Sequence, residues 1–308
     1  MSVREGYQQT EIGVIPEEWE VVELKSIGQI VTGSTPKTSN QEYYTNGTRL
    51  WASPSDLGKS KEVKSTTNKL TDLGFEQTRV LPARSILVTC IGSTIGKIGM
   101  AYEEMSTNQQ INSLVCTKEN SSDFYYYVLD MKKEYIKNLA GTQAVPLLNK
   151  SDFSVIKVPK APIEEQQKIA EILSTVDQKI DSIDTKIKET QTLKRGLMQR
   201  LLSEGIGHSE FKESEIGQIP AGWDYQTFEE AKIQIIDGDR GTNYPKQHDF
   251  FQEGFCLFLS AKNVTKRGFE FFEKQFITEE KDSLLRKGKL VKFDIVLTTR
   301  GTVGNIAY

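Results

Sequence analysis

Gly92-Ser93-Thr94-Ile95-Gly96-Lys97 brings together the glycines, hydroxyls and lysine from which phosphate-binding loops are built. A P-loop needs four residues between its glycines, so that successive backbone N–H groups wrap the phosphates, and a Ser or Thr after the lysine for magnesium. Here three residues intervene and Ile98 follows the lysine, so a tight glycine turn between two strands is expected rather than nucleotide hydrolysis. Acid–base and nucleophilic chemistry also lacks its parts. The chain has 2 His, His208 and His248, each alone among polar neighbours, and no Ser/His/Asp or Cys/His set follows from them. Its 3 Cys, Cys90, Cys116 and Cys256, are far apart without C-x2-C spacing, which argues against structural zinc and for small buried side chains. An Asp/Asn-Pro-Pro-Tyr loop for a flipped adenine, a glycine-rich loop for S-adenosylmethionine and a Pro-Asp…Asp/Glu-x-Lys nuclease set are absent. The expectation is a chain with no catalytic residue and no metal site.

Binding chemistry remains. Residues 31–100 carry nine basic side chains (Lys37, Arg49, Lys59, Lys61, Lys64, Lys69, Arg79, Arg84 and Lys97) against five acidic ones. From Ser53 to Lys69 lysine is mixed with Ser, Thr and Asn, a composition that suits phosphate oxygens, and Ser260 to Gly268 matches it. For any single lysine a solvated surface loop explains the sequence equally well. A basic polar loop after the same strand in two places tips the balance. The candidate phosphate contacts are Lys37, Lys59, Lys61, Lys64, Lys69 and Lys97, then Arg240, Lys246, Lys262, Lys266, Arg267 and Arg300. Thr107-Asn108-Gln109-Gln110-Ile111-Asn112 is rich in amides, which can bond an adenine edge. Its apolar flanks point instead to a core segment whose amides tie down backbone.

The elements that must position these residues are legible as a repeat. Glu11 to Trp19 returns as Glu215 to Trp223, 204 residues later. Leu50-Trp51-Ala52-Ser53 is echoed by Leu257-Phe258-Leu259-Ser260, and Ile86 to Gly92 by Asp294 to Gly301. Ile95-Gly96-Lys97-Ile98 returns as Val303-Gly304-Asn305-Ile306. Blocks in the same order imply two homologous domains. Tyr308 falls where Tyr102 falls in the first copy, so the chain is expected to stop inside its second domain. Within a copy, Leu50–Ala52 and Ser85–Thr89 read as short buried strands. Asp123 to Ala140, with Phe124, Val128, Met131, Tyr135 and Leu139, reads as one amphipathic helix.

Between the copies Pro162 opens a helix, Glu164 and Glu165 complement its dipole, and Gly205 and Gly207 stop it. From Ile163 to Glu204 it would run about 60 Å. Ile169, Val176, Ile183, Thr190 and Leu197 alternate with Leu173, Ile180, Ile187, Lys194 and Leu201 at the 3.5-residue period of a coiled coil. The expected seam is Ile169, Leu173, Val176, Ile180, Ile183, Ile187, Leu197 and Leu201; such a stripe must be buried on its own domain or on a partner helix, and a length beyond a small domain's diameter favours the partner helix. The fold class is therefore α+β: tandem mixed α/β domains, residues 1–161 and 207–308, the second incomplete, separated by a coiled-coil spacer helix at 162–206.

A net charge of −3, with 37% hydrophobic and 26% charged residues, excludes disordered and collagen-like classes. No run approaches the ~18 apolar residues of a membrane span, and the first residues lack the apolar core of a signal peptide. A cytoplasmic protein with no membrane partner is expected.

In its combination of features the chain resembles the specificity subunit of type I restriction-modification systems. The features are Ile12 to Trp19 with its second copy Ile216 to Trp223, the Gly33-Ser34-Thr35-Pro36 turn, Ile86 to Gly99, Thr107 to Asn112, and Pro162 to Gln166 opening the helix. The resemblance implies two target recognition domains, each reading half of a bipartite site in double-stranded DNA, and a helix that fixes the half-site spacing by pairing with a second helix. It implies a non-catalytic subunit with no cofactor of its own. Methyltransferase subunits would supply S-adenosylmethionine, and restriction subunits ATP and Mg2+. Without a second helix, two copies pairing through their spacer helices as a homodimer is the arrangement left open.

Overall fold

Ile86–Thr89 buries four consecutive side chains, which requires a sheet covered on both faces. The computed structural model describes residues 4–141 and 146–308 and divides the chain into two units, Met1–Lys194 and Arg195–Tyr308.

The first unit opens with β1 (Tyr7–Thr10), β2 (Gly13–Pro16), β3 (Glu20–Glu23), α1 (Leu24–Ile27) and β4 (Gly28–Thr32). There follow β5 (Arg49–Ala52), β6 (Glu62–Val63), β7 (Asn68–Leu70), α2 (Asp72–Glu76), β8 (Ile86–Thr89), β9 (Ile98–Ala101), β10 (Ser106–Thr107) and β11 (Ile111–Cys116). It closes with α3 (Ser122–Met131), α4 (Lys133–Leu139), α5 (Lys150–Ser154), β12 (Lys157–Lys160) and the start of α6 (Ile163–Glu204).

A five-stranded sheet in the order β4-β11-β8-β9-β6 is the frame. It is antiparallel except where β6 joins β9. Alternation sorts the side chains. Ile86 and Val88 face one core with Ile98, Met100, Leu114 and the α3 residues Phe124, Tyr125, Val128 and Leu129. Leu87 and Ile111 face a second core with Leu50, Ala52, Leu57, Val63, Leu81 and Met105. A smaller sheet, β10-β5-β7, covers that second face.

The expected single helix over 123–140 is two. Lys132 closes the first by donating from its backbone N–H to the Val128 and Leu129 carbonyls at 3.2 and 3.1 Å, and α4 starts beyond it. The break rotates the apolar face. Ile136 enters the core, while Met131, Tyr135 and Leu139, expected inside, are exposed.

Helix α6 spans 42 residues with the expected ends, and Gly205 at φ 68 provides its left-handed cap. Its first turns dock on the first unit: Ala170 is in the core, Ile169 packs against it, and Gln166 is 1% exposed. Ile169 therefore serves its own domain rather than the seam. The other seam residues, from Leu173 to Leu201, are 37–51% exposed, a stripe interrupted at Thr190 and Lys194 that no other helix covers among the described residues. Among the described residues no helix is long and apolar enough to cross a membrane.

The second unit contains β13 (Phe211–Ser214), β14 (Gly217–Pro220), β15 (Cys256–Leu257), β16 (Val264–Thr265), β17 (Gly268–Phe269), β18 (Phe276–Ile277), α7 (Glu279–Leu284), β19 (Val296–Leu297) and β20 (Ile306–Ala307). They form antiparallel pairs, not a continuous sheet. The pairs repeat the first unit in register. Tyr7 faces Pro16 and Phe211 faces Pro220; Arg49 faces Leu70 and Cys256 faces Ile277. Thr10 Oγ1 donates to the Gly13 carbonyl at 2.7 Å, and Ser214 Oγ to that of Gly217 at 2.5 Å. Arg84 and Phe293, at corresponding places, both take the unusual positive φ, 70 and 80°.

Candidate nucleic-acid interface

Strand direction decides which loops meet. β11 runs antiparallel to both β4 and β8, so the loops leaving β4 and β8 and the loop entering β11 lie at one end of the sheet. This brings together residues 33–37, 90–97 and 108–110. Gly33 allows the closest approach: a side chain there would collide with the Asn108 carbonyl and the Thr107 hydroxyl. Ser34 N–H donates to the Thr107 carbonyl at 2.8 Å, Thr35 Oγ1 to Gln109 Oε1 at 2.5 Å, and Arg79 to the Thr32 carbonyl at 2.7 Å.

The glycine turn is as expected, a connection between β8 and β9. Gly92 and Gly96 take φ 94 and 86°, and Gly96 N–H donates to the Thr89 carbonyl at 3.0 Å. Its copy repeats this: Gly301 and Gly304 take φ 74 and 88°, and Gly304 N–H donates to the Thr298 carbonyl at 2.9 Å. The amide segment is divided. Thr107, Ile111 and Asn112 are buried, and Asn108 Nδ2 donates to Gln110 Oε1 at 3.0 Å; only Gln109 is exposed.

The candidate cations fall into distinct groups. Lys37, Lys59, Lys69 and Lys97 are exposed, and no ion pair holds them among the described residues. Lys59 and Lys97 share the wall of a cleft of about 490 Å³ with Lys133 and Lys137 of α4. Lys133 and Lys137, four apart on one helix face, were missed in the sequence because nothing local connects them to the glycine turn. Asp177 and Asp181 of α6 also line this cleft, so its charge is mixed. Lys64 is exposed and pairs with Glu62 at 3.1 Å.

Lys61 is the exception. Its side chain is 17% exposed, and Nζ donates to Asp123 Oδ1 at 2.9 Å, Tyr127 Oη at 3.0 Å and Ser174 Oγ at 2.9 Å. All three ammonium protons have partners. The phosphate role expected for Lys61 therefore gives way to a structural one. Tyr127 donates in turn to Asp177 Oδ2 at 2.6 Å, and burial together with that carboxylate pushes its phenol pKa up. Asp56 organises the neighbouring loop. Burial pushes its carboxyl up, but donors from Ser53 and Thr67 outweigh this and hold it below the usual range.

In the second unit Arg240 pairs with Asp237 at 2.8 Å and Lys262 with Glu273 at 2.9 Å. Lys246, Lys266, Arg267 and Arg300 lie towards solvent, Lys266 and Arg267 at the tip of the β16–β17 hairpin and Arg300 beside the second glycine turn. Each unit thus offers exposed cations near hydroxyl-bearing turns, and the first adds the exposed amide of Gln109, groups suited to hydrogen bonding with phosphate and base edges.

Residues 16–192 match the family model of the type I restriction modification DNA specificity domain. The chain is 28% identical over 273 residues to the type I restriction enzyme MjaIX specificity subunit of Methanocaldococcus jannaschii, covering 84% of this chain and 61% of that one. It is 32% identical over 282 residues to the putative MjaX specificity subunit of the same organism, covering 84% and 62%. The HsdS subunit from Thermoanaerobacter tengcongensis aligns at TM-score 0.47 and 17% identity, over 64% of this chain and 47% of that one. The chain spans about three fifths of the length of these first two relatives. With more than half of its residues inside the family model, the chain belongs to the type I restriction-modification DNA specificity family.

Proposed function

We propose that the chain is the sequence-reading component of a type I restriction-modification complex, acting in the cytoplasm on double-stranded DNA and doing no chemistry itself. Each unit reads one half of a bipartite target, and α6 sets the half-site spacing. Adenine methylation and cleavage belong to methyltransferase and restriction subunits, which bring S-adenosylmethionine, ATP and Mg2+. The observation that carries this reading is one local scaffold repeated on either side of a long helix. Two like scaffolds present like surfaces to two stretches of duplex, and one turn of DNA is about 34 Å. Exposed Lys37, Lys59, Lys69 and Lys97, with Lys64, Arg240, Lys246, Lys262, Lys266, Arg267 and Arg300, supply phosphate contacts. The open stripe of α6 takes a second helix of the same kind, and a second copy of this chain can provide it.

The test is to purify the chain with its methyltransferase subunit and measure DNA affinity across salt, then map methylated sites in cells carrying both. Steep salt dependence and a two-part methylated motif are expected. Failure to associate with the methyltransferase, or an unsplit motif, would refute the proposal.

A further inference from the structure

Helix α6 is attached to the first unit at two levels. The lower one is at its start, where Ile169 and Ala170 also pack into the core. Trp19 Nε1 donates to Glu165 Oε2 at 2.8 Å, the Ser121 N–H to Gln166 Oε1 at 2.9 Å, and Gln166 Nε2 to the Ala161 carbonyl at 2.8 Å. The upper one is the Lys61 cluster. Lys61 Nζ bonds Ser174 on the helix and Asp123 and Tyr127 on α3, lies 4.3 Å from the Tyr127 ring centre, and Tyr127 reaches Asp177 on the helix. Gln166 and Asp177 are 11 residues apart, about 16 Å along the axis. Past Asp177 the cleft opens between helix and domain, with Ile180 and Asp181 on its wall.

Two attachments at different heights fix a rod's direction; one leaves a pivot. We propose that Lys61 is a positioning residue: through Tyr127, Ser174 and Asp177 it locks the angle at which α6 leaves the first unit, and so sets the spacing between half-sites. The spacing part rests on the function proposed above. The lever is large. From Gln166 to Lys194 the helix runs 28 residues, about 42 Å. A tilt of about 10° moves its far end about 7 Å, two base-pair steps at 3.4 Å each. The clamp is also well placed to hold, because breaking it would leave the partly buried Asp123 and Tyr127 without a hydrogen-bond partner at Lys61.

The experiment uses the full chain with Cys116 and Cys256 changed to Ser and spin labels at Glu76→Cys and Lys188→Cys, both exposed positions. Distance distributions are recorded for the parent, Lys61→Met and Tyr127→Phe, each checked by its melting curve. The parent should give one narrow distribution, and both variants at least twice its width. Parent-like width in folded Lys61→Met overturns the clamp; should Lys61→Met fail to fold, Tyr127→Phe decides alone. In the complex with methyltransferase, discrimination between the native spacer and one longer or shorter by a base pair should fall about fivefold, the worth of one net hydrogen bond, with methylation of the native site retained. Broadened distances with unchanged discrimination would leave the clamp standing and refute the spacing role of α6 instead.

Discussion

Val88 in β8 and Leu297 in β19 occupy the same place before the same glycine turn, yet Val88 is 0% exposed and Leu297 55%. The local geometry around them agrees closely. Thr89 N–H donates to the Lys97 carbonyl at 2.9 Å, and Thr298 N–H to the Asn305 carbonyl at 3.0 Å. The 3-10 turns after β5 and β15 agree too: Ser53 N–H is held by Asp56 at 2.9 Å and Ser260 N–H by Asn263 at 3.0 Å. What differs is β11. In the first unit it lies between β4 and β8, joins them into one sheet and buries Ile111 and Leu114. In the second unit β19 and β20 hydrogen-bond in a two-stranded sheet of their own, and Leu297 has no such covering. Turns, caps and hairpins need only their own residues, whereas a buried sheet needs its central strand.

That contrast is open to direct attack. The largest effect should come from Val88→Asp, which buries a charge without a partner and should cost several kcal/mol, enough to unfold the first unit. Leu297→Asp should cost less than about 1 kcal/mol. Urea titration of both variants checks this, and equal losses would erase the distinction between the units. Thiol chemistry should separate them next. Burial pushes the Cys90 thiol up to about 12; it also raises the thiol of Cys256, which is only partly buried. At pH 8 a disulfide reagent should modify Cys256 at least about a hundredfold faster than Cys90. The same shift predicts a stability term from Cys90 that is intact below pH 9 and is lost as pH rises toward 12.

The seam comes third. Ile180→Asp or Ile183→Asp should weaken helix-mediated assembly about tenfold or more while leaving the melting of the first unit unchanged, because both side chains are half exposed. Sedimentation with the methyltransferase subunit reads this. The smallest effect belongs to the surface cations. Lys59→Ala with Lys97→Ala should weaken binding to all sequences and lower the salt slope by about 0.9 for each phosphate no longer neutralised. An unchanged slope would remove these lysines from the interface.

Much of this was visible before folding. The glycine turn, the ends of α6, the strands at Leu50 and Ile86 and the register of the repeat follow from spacing and turn chemistry, which act over a few residues. Three expectations needed correction for one reason. Met131, Tyr135 and Leu139 lost the core to Ile136 because the backbone breaks at Lys132. Ile169 packs on its own domain. Lys61 meets partners 66 and 113 positions away, a pairing that no window along the chain contains.

Residue order alone was enough to set periodicity, caps, the duplication and the apolar stripe, since each depends on neighbours a turn or a hairpin apart. Which lysines stay free for a ligand, which one becomes a clamp, and which copy of a strand is buried came from long-range packing. Burial and ion pairing depend on what arrives from elsewhere in the chain, and that is a property of the folded arrangement.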